Sequence, residues 1–308
     1  MAESQQGSDW RHRFAILTAV ATLPLIFVGG AVTSKGAGLS VPDWPLSFGE
    51  VMPPHWTRID HVFYEHSHRL LGAGVGLLVL IQALWMGFFE PRRPLRLFAY
   101  ALLAGVVIQG ILGGQRVELI STTLAVVHGC FAQVFFAGTV VMALVTSRRW
   151  KAGPSQPTET RSFPRRLAVL AAGAVLLQLV LGAVTRHTGA TILPHALWAV
   201  AVMAVLHMTM GRILADRGQP TPVRRLAVLA GVLVVLQVML GLLTWMVTSG
   251  MDDDVSASLV QWLLPTGHVV IGALLLALCV VLAVGGFGRT QEKNACQPTI
   301  ENTPLSAL

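Results

Sequence analysis

Four histidines recur in this chain in one setting, each at the start of a long apolar run and each followed four residues later by glycine or alanine. The apolar run that precedes three of them carries the pattern Gln-x-x-x-Gly, at residues 109–113, 178–182 and 237–241. An imidazole just inside a membrane is costly without a partner, and iron is a metal that imidazole suits well. The repeat therefore predicts four metal-binding side chains, which are His68, His128, His195 and His268.

The elements that carry these histidines are predicted to be membrane-spanning helices. Apolar residues make up 54% of the 308 residues and charged residues 12%, against roughly 25% charged in a typical soluble domain. Eight runs reach the length of about 20 apolar residues that a helix needs to cross a bilayer. The sequence thus predicts an all-α integral membrane protein, with helices at 14–33, 67–89, 97–115, 122–146, 166–185, 193–212, 224–247 and 264–287.

An internal repeat divides the chain into two halves. Gly30-Ala-Val-Thr33 ends the first predicted helix and recurs as Gly182-Ala-Val-Thr185 at the end of the fifth. This predicts two pseudo-symmetric four-helix bundles at 1–146 and 166–287, joined by a cytoplasmic linker at 147–165 and followed by a cytoplasmic tail at 288–308. The match also argues against the alternative that residues 1–32 are a cleaved signal peptide.

The basic residues predict the orientation. All but five of the 22 Lys and Arg residues fall on one side of the predicted helices. By the positive-inside rule, both termini are cytoplasmic and the four histidines lie near the outer face of the cell (inner) membrane. Topology and contact with anionic lipid then explain the net charge of +7, and no nucleic-acid partner is expected.

The ligand set favours haem over other metals. Zinc or copper would normally bring Cys, Met or carboxylate ligands, and only His68 has a carboxylate nearby. Bis-imidazole iron needs two histidines on facing helices. Pairing within each half gives His68 with His128 and His195 with His268, and so predicts two haem sites. The alternative is that each imidazole is interfacial and hydrogen-bonded to a backbone carbonyl.

The small residues one turn after the histidines also have two interpretations. Gly72, Ala132, Ala199 and Gly272 lie on the same helix face as the imidazoles. They could clear space for a flat macrocycle, or they could allow close packing of membrane helices.

The two halves differ in their first outer loop. In the first half 34 residues separate Thr33 from His68, whereas nine residues separate Thr185 from His195. The longer loop, 34–66, is rich in Gly, Pro and Trp and is predicted to form an ordered lid. Glu65 is an acid–base candidate three residues before His68, or alternatively a helix N-terminal acid favoured by the dipole. The lid and this carboxylate place the chemistry in the first half.

Two arginines are candidate partners of haem propionates. Arg69 follows His68 in the first half, and Arg186 lies in the short outer loop of the second half. Guanidinium groups suit carboxylates geometrically. The alternative for both is contact with lipid headgroups at the interface.

Together these residues resemble the haem A synthases of respiratory membranes. The most specific parts are Gly36-Ala-Gly-Leu-Ser-Val-Pro-Asp-Trp-Pro45, the segment Glu65-x-x-His68-Arg69, and the histidines that begin predicted helices 4, 6 and 8. The Gln-x-x-x-Gly runs and Arg186-His187-Thr188 support the resemblance, which runs through nearly all eight helices. Many members carry a cysteine pair in the first outer loop, which this chain lacks.

The resemblance implies an enzyme that oxidises the C8 methyl of haem O to the formyl group of haem A, for use by terminal oxidases. It implies a haem b cofactor on His195 and His268 and substrate haem O at His68 and His128, with Glu65 in the catalytic acidic position. Implied partners are membrane lipid, haem O synthase and an electron donor such as quinol. The alternative is a di-haem membrane cytochrome or haem carrier without chemistry, and a third reading is a scaffold for oxidase assembly.

Overall fold

The computed structural model describes residues 2–151, 164–249 and 258–295, which form helices and connecting loops. Eight of the helices in these ranges are long and apolar enough to cross a membrane, as predicted. Their bounds are α1 Ala2–Ser34, α2 Asp60–Phe89, α3 Arg93–Glu118, α4 Thr122–Thr146, α6 Arg165–Thr188, α7 Leu193–Ala215, α8 Thr221–Thr248 and α9 Leu259–Ala295. Two short elements join them, a 3₁₀ turn at Trp56–Arg58 and α5 at Arg148–Lys151.

Local sequence signals set several helix ends. Ser121 caps α4, because its hydroxyl accepts a hydrogen bond from the backbone N–H of Leu124 at 3.2 Å. Proline stands in the first turn of α3, α7 and α8, where its missing N–H costs nothing. Gly189 ends α6 in the left-handed region at φ 68°, a conformation that glycine adopts without strain.

The helices form two rings of four. In the N-terminal bundle α1 and α3 each pack against α2 and α4, and in the C-terminal bundle α6 and α8 each pack against α7 and α9. The bundles meet through α4 with α9, α1 with α9 and α4 with α6. Exchanging the two halves maps these contacts onto one another, so the predicted pair of pseudo-symmetric four-helix bundles is confirmed.

One predicted boundary is wrong in a way that affects the site. Helix α2 begins at Asp60 rather than at residue 67, so the outer loop ends at Ile59 and not at 66. Polar side chains at 60, 61, 65 and 66 hid this first part of the helix, because the prediction relied on continuous apolar residues. Glu65 therefore lies within α2, on the same face as His68.

The predicted linker and tail fall largely outside the described residues. Residues 152–163 of the linker and 296–308 of the tail are not described. The first residues of the predicted linker form α5, and α9 continues through the start of the predicted tail to Ala295.

At the end of the bundle opposite the histidines, a buried carboxylate joins the first three helices. The Glu90 side chain is 2% exposed; it accepts a hydrogen bond from Arg92 at 2.6 Å and lies 3.5 Å from Nε of Arg11. Burial would raise the pKa of Glu90, but the bond from Arg92, helped by the charge of Arg11, holds it below its ordinary value of 4.5. The lowered pKa means that the ionised form stabilises the fold.

Replacing Glu90 with Gln should therefore destabilise the protein by about 1–3 kcal/mol, less than a fully buried pair because both arginines reach solvent. Thermal unfolding in detergent measures the change, with the exposed Glu118→Gln as control. The difference between wild type and Glu90→Gln should be full at neutral pH and shrink as the pH falls below about 4.5, since the carboxylate then takes up a proton. A difference that grew on acidification would contradict this assignment.

Candidate functional site

The structure brings the four histidines together as two pairs. The ring centroids of His68 on α2 and His128 on α4 are 6.3 Å apart, with an angle of 82° between the ring planes. The ring centroids of His195 on α7 and His268 on α9 are 6.1 Å apart, with an angle of 72°. In each bundle the two helices stand diagonally across the ring of four, so the imidazoles meet in the middle of the bundle.

Each imidazole lies directly against a glycine of a neighbouring helix. A Cβ atom added at Gly29, Gly113, Gly182 or Gly241 would lie 2.8, 3.0, 2.8 or 3.0 Å from Cε1 of His68, His128, His195 or His268, respectively. Real Cβ atoms essentially never show contacts of 2.8 Å and rarely show contacts of 3.0 Å, so the rings occupy space that a side chain would fill. The final glycine of each Gln-x-x-x-Gly pattern is thus the residue against which the ring of the following histidine packs, and we call this glycine the seat of that histidine. The sequence pattern alone did not reveal this role.

The small residues after the histidines have a different role. A Cβ added at Gly272 would lie 3.1 Å from Cδ2 of Leu179 and 3.2 Å from Nε2 of Gln237. One added at Gly72 would lie 4.0 Å from Cδ1 of Leu25. At these two positions the structure supports close packing against neighbouring helices.

The glutamines of the pattern hold the histidine-bearing helices. Nε2 of Gln109, Gln178 and Gln237 donates to the backbone carbonyl of His128, His195 and His268 at 2.9, 3.0 and 2.8 Å, respectively. These bonds fix the height of each histidine against the preceding helix.

The backbone carbonyl of the same glutamine also faces the ring. Nδ1 of His195 lies 3.1 Å from the carbonyl oxygen of Gln178. When Nδ1 donates there, Nε2 keeps the lone pair that a metal needs. Nε2 of His195 lies 3.3 Å from the Gln178 amide. The Nδ1 atoms of the other three histidines are buried, and the backbones of Leu25, Gln109 and Gln237 face the rings of His68, His128 and His268 with looser geometry.

Glu65 is buried and bound to the outer loop. Its side chain accepts a hydrogen bond from the backbone N–H of Val41 at 3.0 Å on one oxygen and from Arg69 at 2.9 Å on the other. Arg69 also donates to the carbonyl oxygens of Val41, Asp43 and Leu46. The carboxylate and the guanidinium therefore fasten the loop to α2 within one turn of His68.

Three more contacts hold the loop across the N-terminal bundle. Trp44 packs on α3 at Gly114, where an added Cβ would clash with the indole. Arg116 of α3 donates to the carbonyl of Gly38 at 2.9 Å, and Ser47 lies 2.9 Å from Nδ1 of the buried His66. The loop, residues 35–59, is thus an ordered lid joined to both α2 and α3 of the N-terminal bundle.

The lid is also ordered internally. Both carboxylate oxygens of Asp43 accept backbone N–H bonds, from Phe48 at 2.7 Å and from Gly49 at 2.8 Å. The Gly49 bond in particular lowers the pKa of Asp43 below its ordinary value. Asp43 therefore stays ionised, and holds its turn, throughout the neutral range.

Arg186 lies where the two bundles meet. It donates to the Gly30 carbonyl at 2.8 Å and the Ser34 hydroxyl at 2.7 Å on α1, and to the Pro265 carbonyl on α9 at 3.4 Å. Arg69 has Glu65 as its ion-pair partner, whereas Arg186 has no carboxylate partner among the described residues. His187, next in sequence, approaches the other bundle, since its Nε2 would lie 3.9 Å from a Cβ at Gly129.

The spacing within each pair fits iron held between two imidazoles. Metal–imidazole nitrogen bonds of about 2.0–2.1 Å place two opposed ring centroids about 6.3 Å apart. No group of three or more His, Cys, Asp or Glu side chains converges within the described part of the chain. Two imidazoles alone suit a metal whose other ligands come from a macrocycle, so both pairs fit a haem.

Fold and site together define a class of protein: a helical membrane protein in which each four-helix half holds one pair of histidines. The sequence profile of the cytochrome oxidase assembly protein family matches residues 12–194, more than half of the chain. The chain belongs to this family and is a multi-pass membrane protein. The family resemblance seen in the sequence is confirmed.

Curated relatives carry a more specific name. The chain is 29% identical over 189 residues to the heme A synthase of Exiguobacterium sibiricum, a match covering 58% of this chain and 61% of the relative. It is 28% identical over 189 residues to the heme A synthase of Shouchella clausii, covering 58% and 60%. The matched part is thus about three-fifths of the length of these relatives.

Gly182→Ala should disturb the histidine seat selectively. The new methyl group would lie 2.8 Å from Cε1 of His195 and force the imidazole away, at a cost of about 1–3 kcal/mol. Gly173→Ala on the same helix is the matched control, because a Cβ there meets nothing within 4 Å. Thermal unfolding of the two variants tests the contact, and equal melting temperatures would refute it.

Proposed function

We propose that this protein is a haem A synthase, which oxidises the C8 methyl of haem O to the formyl group of haem A for terminal oxidases. The observation that carries the proposal is the asymmetry between two otherwise equivalent histidine pairs. Both pairs have a spacing that suits haem iron, but among the described residues only His68 and His128 share their bundle with an ordered lid and a buried carboxylate. The names of the curated relatives support the same reaction.

The C-terminal bundle would hold the resident cofactor. His195 and His268 would bind the iron of a b-type haem, which supplies one-electron redox chemistry when bound. Gln178 and Gln237 hold the two ligand-bearing helices, and Gly182 and Gly241 seat the rings. Arg186, which has no carboxylate partner among the described residues, has the charge to bind a propionate at the boundary between the bundles.

The N-terminal bundle would hold the substrate. His68 and His128 bind and orient haem O, and the lid keeps water from the reacting methyl group. Glu65 holds or accepts a proton during the successive oxidations and the loss of water that leave a formyl group. Arg69 orients that carboxylate and is in turn a second candidate for a propionate. Each oxidation of the methyl group draws on an external oxidant such as molecular oxygen, an electron donor such as quinol supplies the reducing equivalents, and haem O synthase supplies the substrate.

The orientation proposed for the chain follows the basic residues. Both termini face the cytoplasm of the cell membrane, and both histidine pairs lie towards the outer side. The lid then covers the N-terminal pair at the outer interface, where its Trp and Pro residues are well tolerated.

The direct test is to co-express the chain with a haem O supply in a host that lacks haem A, and to analyse extracted haems by chromatography and mass. Haem A or its hydroxylated precursor is expected. Unchanged haem O with haem B still bound would overturn the proposal in favour of an electron-transfer or carrier protein. Absence of both bound haem and product would leave only the scaffold reading.

Glu65→Gln should lower conversion by roughly 10²–10⁴-fold, the usual contribution of a general acid or base, without loss of bound haem. Glu50→Gln is the matched control, since Glu50 is an exposed carboxylate of the same lid. Full conversion by Glu65→Gln would exclude a proton-transfer role for this residue.

His195→Ala should abolish the b-type haem spectrum of the C-terminal site. His207→Ala, on the same helix and bonded to the Met203 carbonyl at 2.8 Å, should keep it. Absorption spectra and the haem-to-protein ratio of the purified variants measure the effect. A full spectrum in His195→Ala would refute the cofactor assignment.

A further inference from the structure

One of the four histidine seats lacks the feature that the other three share. Gln109, Gln178 and Gln237 each stand four residues before the glycine against which a histidine packs. In the first seat that glycine is Gly29, and the residue four positions earlier is Leu25. All four histidines therefore pack against a glycine, but only three of these glycines are preceded by a glutamine four residues earlier.

Leu25 occupies the place of the missing amide. A Cβ at Gly72, one turn after His68, would lie 4.0 Å from Cδ1 of Leu25. A Cβ at Gly272, one turn after His268, would lie 3.2 Å from Nε2 of Gln237. The side chains of Leu25 and Gln237 thus both reach the glycine that follows a histidine by four residues, Gly72 and Gly272 respectively.

The substitution removes a hydrogen bond from one ligand. The three glutamines donate to the carbonyls of His128, His195 and His268. Among the hydrogen bonds of the described residues, no side chain donates to the carbonyl of His68. Both histidines of the C-terminal pair are therefore held by an amide, whereas the N-terminal pair is held on one side only.

Such outer contacts affect how firmly a metal is held. They hold the backbone that carries the ligand, and the loss of one such hydrogen bond is expected to weaken binding by roughly 2–10-fold. A resident cofactor benefits from two firmly held ligands. A site that must accept haem O and then give up its product benefits from one ligand that moves.

We propose that Leu25 makes His68 the releasable ligand of the N-terminal site, so that this site exchanges its haem while the C-terminal site, with Gln178 and Gln237, retains it. Leu25 is a positioning residue: its side chain cannot donate a hydrogen bond to the backbone carbonyl of His68, so it leaves this histidine less firmly held. The inference rests on the proposed function, and it assigns substrate exchange to one side of one histidine pair.

The test follows haem release from the purified full-length protein. The chain is titrated with haem B and mixed with excess apomyoglobin, and the Soret band reports each haem transferred. Wild type should bind two equivalents and lose them in two phases. His128→Ala should remove the fast phase, and His268→Ala should remove the slow one.

Reciprocal variants then probe the amide. Leu25→Gln should slow the fast phase by roughly 2–10-fold, the range expected for one added hydrogen bond, and leave the slow phase unchanged. Leu25→Met, which adds no donor, should leave both phases unchanged. Gln237→Leu should speed the slow phase by a similar factor of roughly 2–10, because it removes one such hydrogen bond.

A second variant keeps the test decisive if Leu25→Gln fails to fold. Gln109→Leu removes the remaining amide of the N-terminal pair and should speed the fast phase further. If wild type takes up a single equivalent, Leu25→Gln should restore the second, and no restoration would overturn the inference.

Failure of this inference is distinguishable from failure of the proposed function. Equal release rates from the two sites in wild type, or rates insensitive to Leu25→Gln and Gln237→Leu, would overturn the inference while haem A formation still stood. No haem bound at either pair, together with no haem A formed, would overturn both.

Discussion

Four imidazoles can meet in pairs inside these bundles only because the helix beside each one has no side chain at the point of contact. A ring against a bare helix backbone needs a glycine, and the four contacts at Gly29, Gly113, Gly182 and Gly241 are alike to within a few tenths of an ångström. Helix spacing, ring position and the separation between paired rings all depend on that approach. In a membrane, where small residues govern how closely helices pack, the same glycines set the bundle and the site together.

The internal repeat explains why the molecule has two such sites, and its departures explain why they differ. In the part of the chain that the structure describes, a lid is present only between α1 and α2. It is held by Arg69 and Glu65 on α2 and by Arg116 on α3. Burying Glu65 requires compensation, which the Val41 N–H and the Arg69 guanidinium supply. The lid and the Glu65 carboxylate therefore stabilise each other: the lid supplies a hydrogen bond to the buried carboxylate, and the carboxylate holds the lid on α2.

Much of this architecture could be predicted from the sequence. Membrane-spanning helices are recognisable as long apolar runs, and the four histidines are recognisable because their setting repeats. Pairing His68 with His128 and His195 with His268 needed only the assumption of two equivalent halves. The start of α2 could not be found in this way, because residues 60–66 are helical through packing against the lid rather than through apolar periodicity. The contacts of Arg69 with three loop carbonyls could not be predicted either, because they depend on the course of the loop, which the local sequence does not determine.

Arg186 joins the two bundles through hydrogen bonds to α1 and α9. It donates to the hydroxyl of Ser34 on α1 at 2.7 Å. Ser34 in turn lies 3.1 Å from the hydroxyl of the fully buried Thr266 on α9. These contacts link α6 to α1 and α1 to α9, and so join the two bundles. A partly buried cation bonded to both bundles also makes their separation costly, because it would leave that charge without its partners.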